Sequence, residues 1–220
     1  PFAGHPSVGS AHAMLESGLV SAHNGQLLQE CAAGLLPIRV QGEGDTRIIS
    51  VRAPRAKIVA TDNSIQALLL ATTKNMSLGA LAPTLLNNGP LWWCVQLQDE
   101  HAVRTLKPLQ TEIATLNHGT QSVGLAVFAK SDVSEYQLVV RAFCPADNIP
   151  EDPVTGSANA AIAALMHESG TLSEIGNHYT ASQGRELGRD GMVQVQVDDE
   201  GEVWIGGQTH TVIRGSLGWL

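Results

Sequence analysis

Two short segments, far apart in the chain, carry the side chains best suited to moving a proton. Gly4-His5-Pro6 sets an imidazole, able to give and take a proton near neutral pH, beside a glycine that admits close backbone approach. Glu151-Asp152-Pro153-Val154-Thr155-Gly156-Ser157-Ala158 sets carboxylates and two hydroxyls ahead of a run of small residues. Both segments read as helix starts. A helix N-terminus offers unpaired N–H donors and a partial positive charge, and so holds a carboxylate or phosphate. If the two starts face each other across a cleft, His5 and Asp152 share one pocket as an acid–base pair. Oriented amides beside them could then stabilise an enolate-like charge.

Plainer readings stand beside this one. Asp152 is also a good N-cap, although histidine is a poor one. The Ser157 hydroxyl can simply bond to its own backbone. What favours a site is an internal repeat. Segment 5–13 (His-Pro-Ser-Val-Gly-Ser-Ala-His-Ala) matches segment 152–160 (Asp-Pro-Val-Thr-Gly-Ser-Ala-Asn-Ala) at a constant offset of 147 residues. Pro6, Gly9, Ser10, Ala11 and Ala13 fall on Pro153, Gly156, Ser157, Ala158 and Ala160. Both segments continue to Met-x-Glu-Ser-Gly or a close variant, ending at Gly18 and Gly170. On this alignment the second helix is longer by 5 residues.

The elements that must position these groups follow from the same repeat. Pro6 and Pro153 suit a first helical turn, which places His5 and Asp152 at or just before an N-cap. Gly18 and Gly170 suit helix stops. Residues Ala158 to Met166 leave almost no polar face, as in a helix buried on all sides. Each helix is followed by alternating strands around a Gly-containing turn: 37–41 with 46–51, and 192–197 with 202–205. Asp62-Asn63-Ser64 caps a helix over 65–73, and strands are expected at 91–97, 122–129 and 135–143. Trp92 and Trp93 put one ring on each face of a strand, where packing is the default role. Ser182-Gln183-Gly184-Arg185 reads as a loop whose polar groups either reach the cleft or turn the chain. The expected class is α+β: two pseudo-repeat domains, 1–58 and 59–220, of mostly antiparallel strands wrapped around a central buried helix.

Composition removes other classes. The 220-residue chain has a net charge of −8 and no basic run, which argues against a nucleic-acid binder. No stretch approaches the roughly 18 apolar residues of a membrane span. Three scattered cysteines suit reduced thiols in a cytoplasm, not a disulfide framework or zinc site. The eight histidines are dispersed, so no metal is expected. Gly4 to Gly9 has the spacing of a phosphate loop but lacks the following lysine. The chain opens directly on its motif without an initiator Met, as expected of a processed, cleaved or incomplete polypeptide.

Phe2-Ala3-Gly4-His5-Pro6 with Gly9, the Glu151–Ala158 motif, and Ser182-Gln183-Gly184-Arg185 with Gly188-Arg189 resemble the PhzF (phenazine biosynthesis-like) family. The resemblance implies a diaminopimelate-epimerase-like fold with the active site between two similar domains. It implies cofactor-independent isomerase chemistry on a small carboxylated substrate, of the dihydro-hydroxyanthranilate isomerase type. His5 and Asp152 would then act in proton handling and ring positioning, Gly4 would line the substrate site, and the Gly156 and Ser157 amides would hold the substrate carboxylate. A homodimer in the cytoplasm is implied as well. Related racemases and epimerases carry a cysteine at each helix start, where this chain has Ala3 and Thr155. The family's principal acid/base is a glutamate upstream of the Gly-His-Pro motif, and none of Glu16, Glu30 or Glu43 stands in that context. Alone, residues 1–220 are therefore expected to expose apolar surface and to turn over little substrate. Two alternatives stay open: a non-catalytic ligand-binding relative, and a racemase or epimerase of an amino-acid-like substrate.

Overall fold

The structure, a computed structural model, describes residues 3–31, 34–216 and 218. Pro1 and Phe2 of the first motif lie outside the described residues. Helix α1 (Gly4–Glu16) is followed by the strands β1 (Gln26–Cys31), β2 (Gly34–Gln41) and β3 (Ile48–Arg52). The middle of the chain forms β4 (Lys57–Ile58), α2 (Asn63–Thr73), β5 (Thr84–Asn87), β6 (Leu91–Gln96), α3 (Glu100–Thr105) and α4 (Gln110–Thr120). It continues through β7 (Gly124–Lys130), β8 (Leu138–Cys144) and β9 (Ile149–Asp152). The last unit is α5 (Gly156–Glu168), β10 (His178–Gln183), β11 (Gly191–Val197) and β12 (Val203–Gln208).

The repeat is present, in a different register from the one the sequence match gives. Both α1 and α5 have 13 residues, and starts and ends alike are offset by 152 (156 − 4 and 168 − 16). The flanking backbone repeats too. The N-caps Ala3 and Thr155 are extended (φ −137° and −121°), and Gly18 and Gly170 both take positive φ (70° and 77°). The offset of 147 matched Gly-Ser-Ala-x-Ala strings, and small residues recur at several places in both helices. The matching helix ends at Gly18 and Gly170 already carry the offset of 152, and the cap geometry fixes that register for the whole helix. The second helix is thus no longer than the first.

The strands after each helix repeat as well. β1-β2-β3 and β10-β11-β12 are antiparallel meanders, joined by pairing of β3 with β12 (Val51 opposite Ile205). The order β1-β2-β3-β12-β11-β10 is therefore a palindrome. The sheet continues through β8, β7, β6, β5 and β4, with β9 on a branch from β8. Of its pairings only β6–β7 and β8–β10 are parallel. The result is a mixed α+β fold with one large, mostly antiparallel sheet, unbroken across residue 58.

Helix α5 packs against β11 and β12 on one side and β5 and β6 on the other. Its residues from Ala158 to Ala163, with Leu165 and Met166, are buried; all of them are apolar but Asn159, whose side chain finds partners inside. Helix α1 packs against β3 and β12 and buries only Gly4, Ser7, Val8 and Ala11, so Met14 remains 43% exposed. Leu28 and Leu35, on the β1–β2 hairpin at the sheet edge, are exposed too. Trp92 and Trp93 enter two different core clusters, as strand alternation demands. Burial of each such ring or branched side chain contributes about 1.5–3 kcal/mol.

Local signals placed some elements well. Asp62 caps α2 by accepting from the Ser64 N–H at 2.8 Å. Others were hidden. Helix α4 is rich in Thr, Gln and Asn, and only Ile113, Leu116 and Asn117 turn inward. Ser182 and Gln183 end strand β10 rather than standing in a loop.

Candidate active site

The starts of α1 and α5 meet. A Cβ placed on Gly156 would lie 3.1 Å from the Gly4 Cα, so the two helix starts approach as closely as glycine backbones allow. Beside this junction opens a cleft of ≈ 610 Å3. All five residues singled out from the sequence line it: Gly4, His5, Asp152, Gly156 and Ser157. The N-cap residues Ala3 and Thr155 line it as well.

His5 is the second residue of α1, not its N-cap. Its Nδ1 lies 2.9 Å from the Val154 carbonyl oxygen. A carbonyl can only accept, so the neutral ring carries its proton on Nδ1 and keeps a lone pair on Nε2. The bond ties the first repeat to the loop that precedes α5. It leaves one ring nitrogen for the cleft.

Asp152 also proves not to be an N-cap. It ends β9, three residues before the cap Thr155, and Pro153 lies outside the helix. Its Oδ2 accepts from the Thr155 hydroxyl at 2.5 Å. The loop from Asp152 to Thr155 is held from beneath by Gln183, which is wholly buried. Gln183 Oε1 accepts from the Thr155 N–H (3.0 Å) and from Asn159 Nδ2 (2.9 Å). Its Nε2 donates to the Asp152 carbonyl (3.0 Å) and to Thr155 Oγ1 (2.9 Å). Gly184, at φ 95°, lets the chain turn directly under the loop. A Cβ there would strike the Pro153 carbonyl oxygen at 2.5 Å.

Ser157 sits at the second position of α5, the place His5 takes in α1. Its hydroxyl oxygen accepts from the Trp92 indole N–H at 3.0 Å, and its carbonyl accepts from Asn88 Nδ2 at 2.8 Å. Because Oγ already accepts, its own proton is free to point elsewhere. Trp92 therefore does more than pack. The sequence offered only packing for this ring, and the packing of β6 against α5 is what brings its N–H to Ser157. Neither helix start carries a side-chain cap, so its first-turn N–H groups remain open to a ligand.

The motif's other acid has a different task. Glu151 makes a two-pronged pair with Arg141 (2.9 and 2.8 Å), and that guanidinium also donates to the carbonyls of Val103 and Leu106. Both side chains are nearly buried, which fixes β9 against β8 and aims the next residue, Asp152, at the cleft. Cys144 lines the cleft too, but its thiol is pushed up to about 12 by burial and by the charges of Asp152 and Asp147. It is protonated at neutral pH and a poor nucleophile. The acids lining the cleft are Asp147 and Asp152, with no glutamate among the described residues there. Among the described residues, no group of three His, Cys, Asp or Glu side chains is arranged to hold a metal ion, and no helix is long and apolar enough to cross a membrane.

A family model described as phenazine biosynthesis-like protein (PhzC-PhzF) matches residues 1–215. Antisense-enhancing sequence 1 of Schizosaccharomyces pombe is 31% identical, over 97% of this chain and 74% of that protein. An uncharacterized isomerase of Halalkalibacterium halodurans is 25% identical, over 97% of this chain and 72% of its own length. Among solved structures, a predicted epimerase of Pseudomonas aeruginosa gives a TM-score of 0.73 at 22% identity, over 99% of this chain and 74% of that one. A hydroxyproline epimerase of Agrobacterium vitis gives 0.58 at 15% identity, over 92% of this chain and 63% of that one. The chain is shorter than these relatives, and the structural likenesses show its fold.

Proposed function

The chain belongs to the phenazine biosynthesis-like (PhzC-PhzF) family, and from that premise we propose that its cleft performs cofactor-independent proton transfer on a small carboxylated substrate. The observation that carries this reading is the convergence of His5, Asp152 and two uncapped helix starts on one cleft. The N–H groups of Gly156 and Ser157 would hold the substrate carboxylate, aided by the Ser157 hydroxyl. Gly4 would let the substrate lie close to the first helix start. His5, anchored through Nδ1, would pass a proton through Nε2, and Asp152 would serve the opposite step. The positive ends of both helices would stabilise the enolate-like charge between the two steps.

An isomerase of the dihydro-hydroxyanthranilate type fits this arrangement best. A two-thiol epimerase finds less support, because the equivalent cap positions carry Ala3 and Thr155 and the Cys144 thiol is held protonated. We read residues 1–58 and 59–220 as two domains of a cytoplasmic homodimer, each centred on one of the repeated helices. The repeated helix-and-meander unit supports the division, and the family resemblance supports the assembly.

The test is incubation in D2O with trans-2,3-dihydro-3-hydroxyanthranilate and, separately, with trans-4-hydroxy-L-proline. Deuterium in the first at a new ring position supports the isomerase. Inversion with deuterium at the α-carbon of the second would move the protein to the epimerases. Binding of either without exchange would make it a ligand-binding relative.

A further inference from the structure

The donors and acceptors around Asp152 form a chain whose direction is fixed at its base. The Thr155 backbone N–H can only donate and the Asp152 backbone carbonyl can only accept. They face the two ends of the Gln183 carboxamide at 3.0 Å each, which leaves that amide one orientation. Its oxygen accepts and its nitrogen donates. Asn159 Nδ2, another donor, faces the same oxygen at 2.9 Å. Gln183 Nε2 therefore donates to Thr155 Oγ1, and the single hydroxyl proton must go to Asp152 Oδ2.

We propose that Gln183 and Thr155 are positioning residues that make Asp152 a one-sided proton carrier, with Oδ2 sealed as an acceptor and Oδ1 as the working oxygen. This rests on the reading of Asp152 as a proton-transfer group. An unsupported carboxyl can turn over and carry its proton on either oxygen, so half its encounters present the wrong atom. Here the buried amide and the hydroxyl remove that choice before substrate arrives.

The same bond keeps the anion site open. Threonine at an N-cap ordinarily turns its oxygen to the N–H groups of its own helix. Thr155 makes no such cap, because its hydroxyl is engaged between Gln183 and Asp152. The first-turn donors of α5 stay free. One side chain thus orients the carboxylate and leaves the neighbouring amides unoccupied.

Neutron diffraction from D2O-exchanged crystals of the protein reads the direction of the chain directly. The deuteron on Thr155 Oγ1 is expected to point at Asp152 Oδ2, and a deuteron directed at Gln183 would overturn the proposal. Kinetics read the consequence, with trans-2,3-dihydro-3-hydroxyanthranilate in D2O as the probe. Thr155→Val keeps the shape and the backbone N–H but removes the hydroxyl. It should lower kcat by about 10²-fold, the effect of misplacing a reacting group, with KM within about twofold. Thr155→Ser should restore kcat to within about threefold of wild type by replacing the hydroxyl. Equal loss in both variants, or an unchanged kcat in Thr155→Val, would overturn the positioning role. Absence of exchange by the full-length wild-type protein would instead remove the proton-transfer reading, while the neutron map still decides whether Oδ2 is sealed.

Discussion

Gly4 and Gly156, the first residues of the two repeated helices, touch through their backbones, 3.1 Å separating the Gly4 Cα from where a Gly156 Cβ would stand. Because the obstacle is main chain, it cannot swing aside as a side chain would. Gly156→Ala should force the helix starts apart, cost about 1–3 kcal/mol and lower Tm by several degrees. Gly9→Ala is the internal control, since nothing lies within 4 Å of a Cβ there. That change should stabilise α1 by about 0.5–1 kcal/mol. Thermal unfolding of both variants by circular dichroism checks the pair. A Gly156→Ala protein as stable as wild type would mean the helix starts are not in contact.

Asp152→Asn keeps the size of the side chain and its acceptor toward Thr155 while removing the carboxylate. Solvent exchange should fall by about 10²–10⁴-fold, the range for loss of a general acid–base group. Tm should change by only a degree or two, because the loop remains tied to Gln183. A parallel fall in Tm and rate would reduce Asp152 to a structural role.

Trp92 and Trp93 are adjacent, yet only the first reaches the cleft. Trp92→Phe removes the donor to Ser157 Oγ, and the freed oxygen can reorient. A lost hydrogen bond of this kind should slow exchange by about three- to tenfold. Trp93 donates to Thr120 Oγ1, and neither residue lines the cleft. Trp93→Phe should lower Tm without altering the rate. Equal kinetic effects from both substitutions would contradict the assignment of Trp92.

Glu100 supplies a test of acid stability away from the site. Burial pushes its carboxyl up, but donors from Ser131, Tyr136 and Arg104 outweigh that and hold it below the usual 4.5. A depressed carboxylate contributes stability above its unfolded value and loses it as pH falls through the folded one. Glu100→Gln should therefore have a lower Tm than wild type at pH 7. The gap should close as the pH drops below about 4.5. A gap that persists to pH 3 would show that packing, not ionisation, is what the substitution removes.

The thiols give a chemical check on the epimerase alternative. Cys94 and Cys144 are buried and both thiols are pushed up by that burial, whereas Cys31 is half-exposed. Iodoacetamide at pH 7 should label Cys31 alone, as read by mass spectrometry, and leave solvent exchange intact. Fast modification of Cys144 with loss of activity would point to a thiol mechanism after all.

Which residues line the cleft was more legible than the geometry that places them there. His5, Asp152, Gly156 and Ser157 could be picked out because proton transfer and anion binding demand those residue types near a helix start. Their exact stations could not. The repeated Gly-Ser-Ala strings offered a false register at the helix starts, and the extended backbone of Ala3 and Thr155 decides for the offset that the helix ends at Gly18 and Gly170 carry. Hairpins with alternating residues, such as 37–51, were readable locally. The pairing of β3 with β12 was not, because nothing in either strand names its partner. The partners of Gln183, which the sequence offered only as a polar residue that reaches the cleft or turns the chain, and the polar role of Trp92 were hidden for a similar reason. Each contributes through a hydrogen bond to a residue 28 or 65 positions away, and single-sequence patterns carry no record of such contacts.

The central strand pair sets the order in which this molecule can be built. Val51 and Ile205 are neighbours in the sheet but 154 residues apart in the chain. On the ribosome, β3 emerges early and waits with one edge unpaired until Val203–Gln208 leaves the exit tunnel. Closing so long a loop is entropically costly, and topologies dominated by distant pairings fold slowly. During that interval the open edge of β3 can recruit a foreign strand. Synthesis rate and chaperone supply, rather than the final stability of the sheet, should govern how much of this protein a cell recovers in working form.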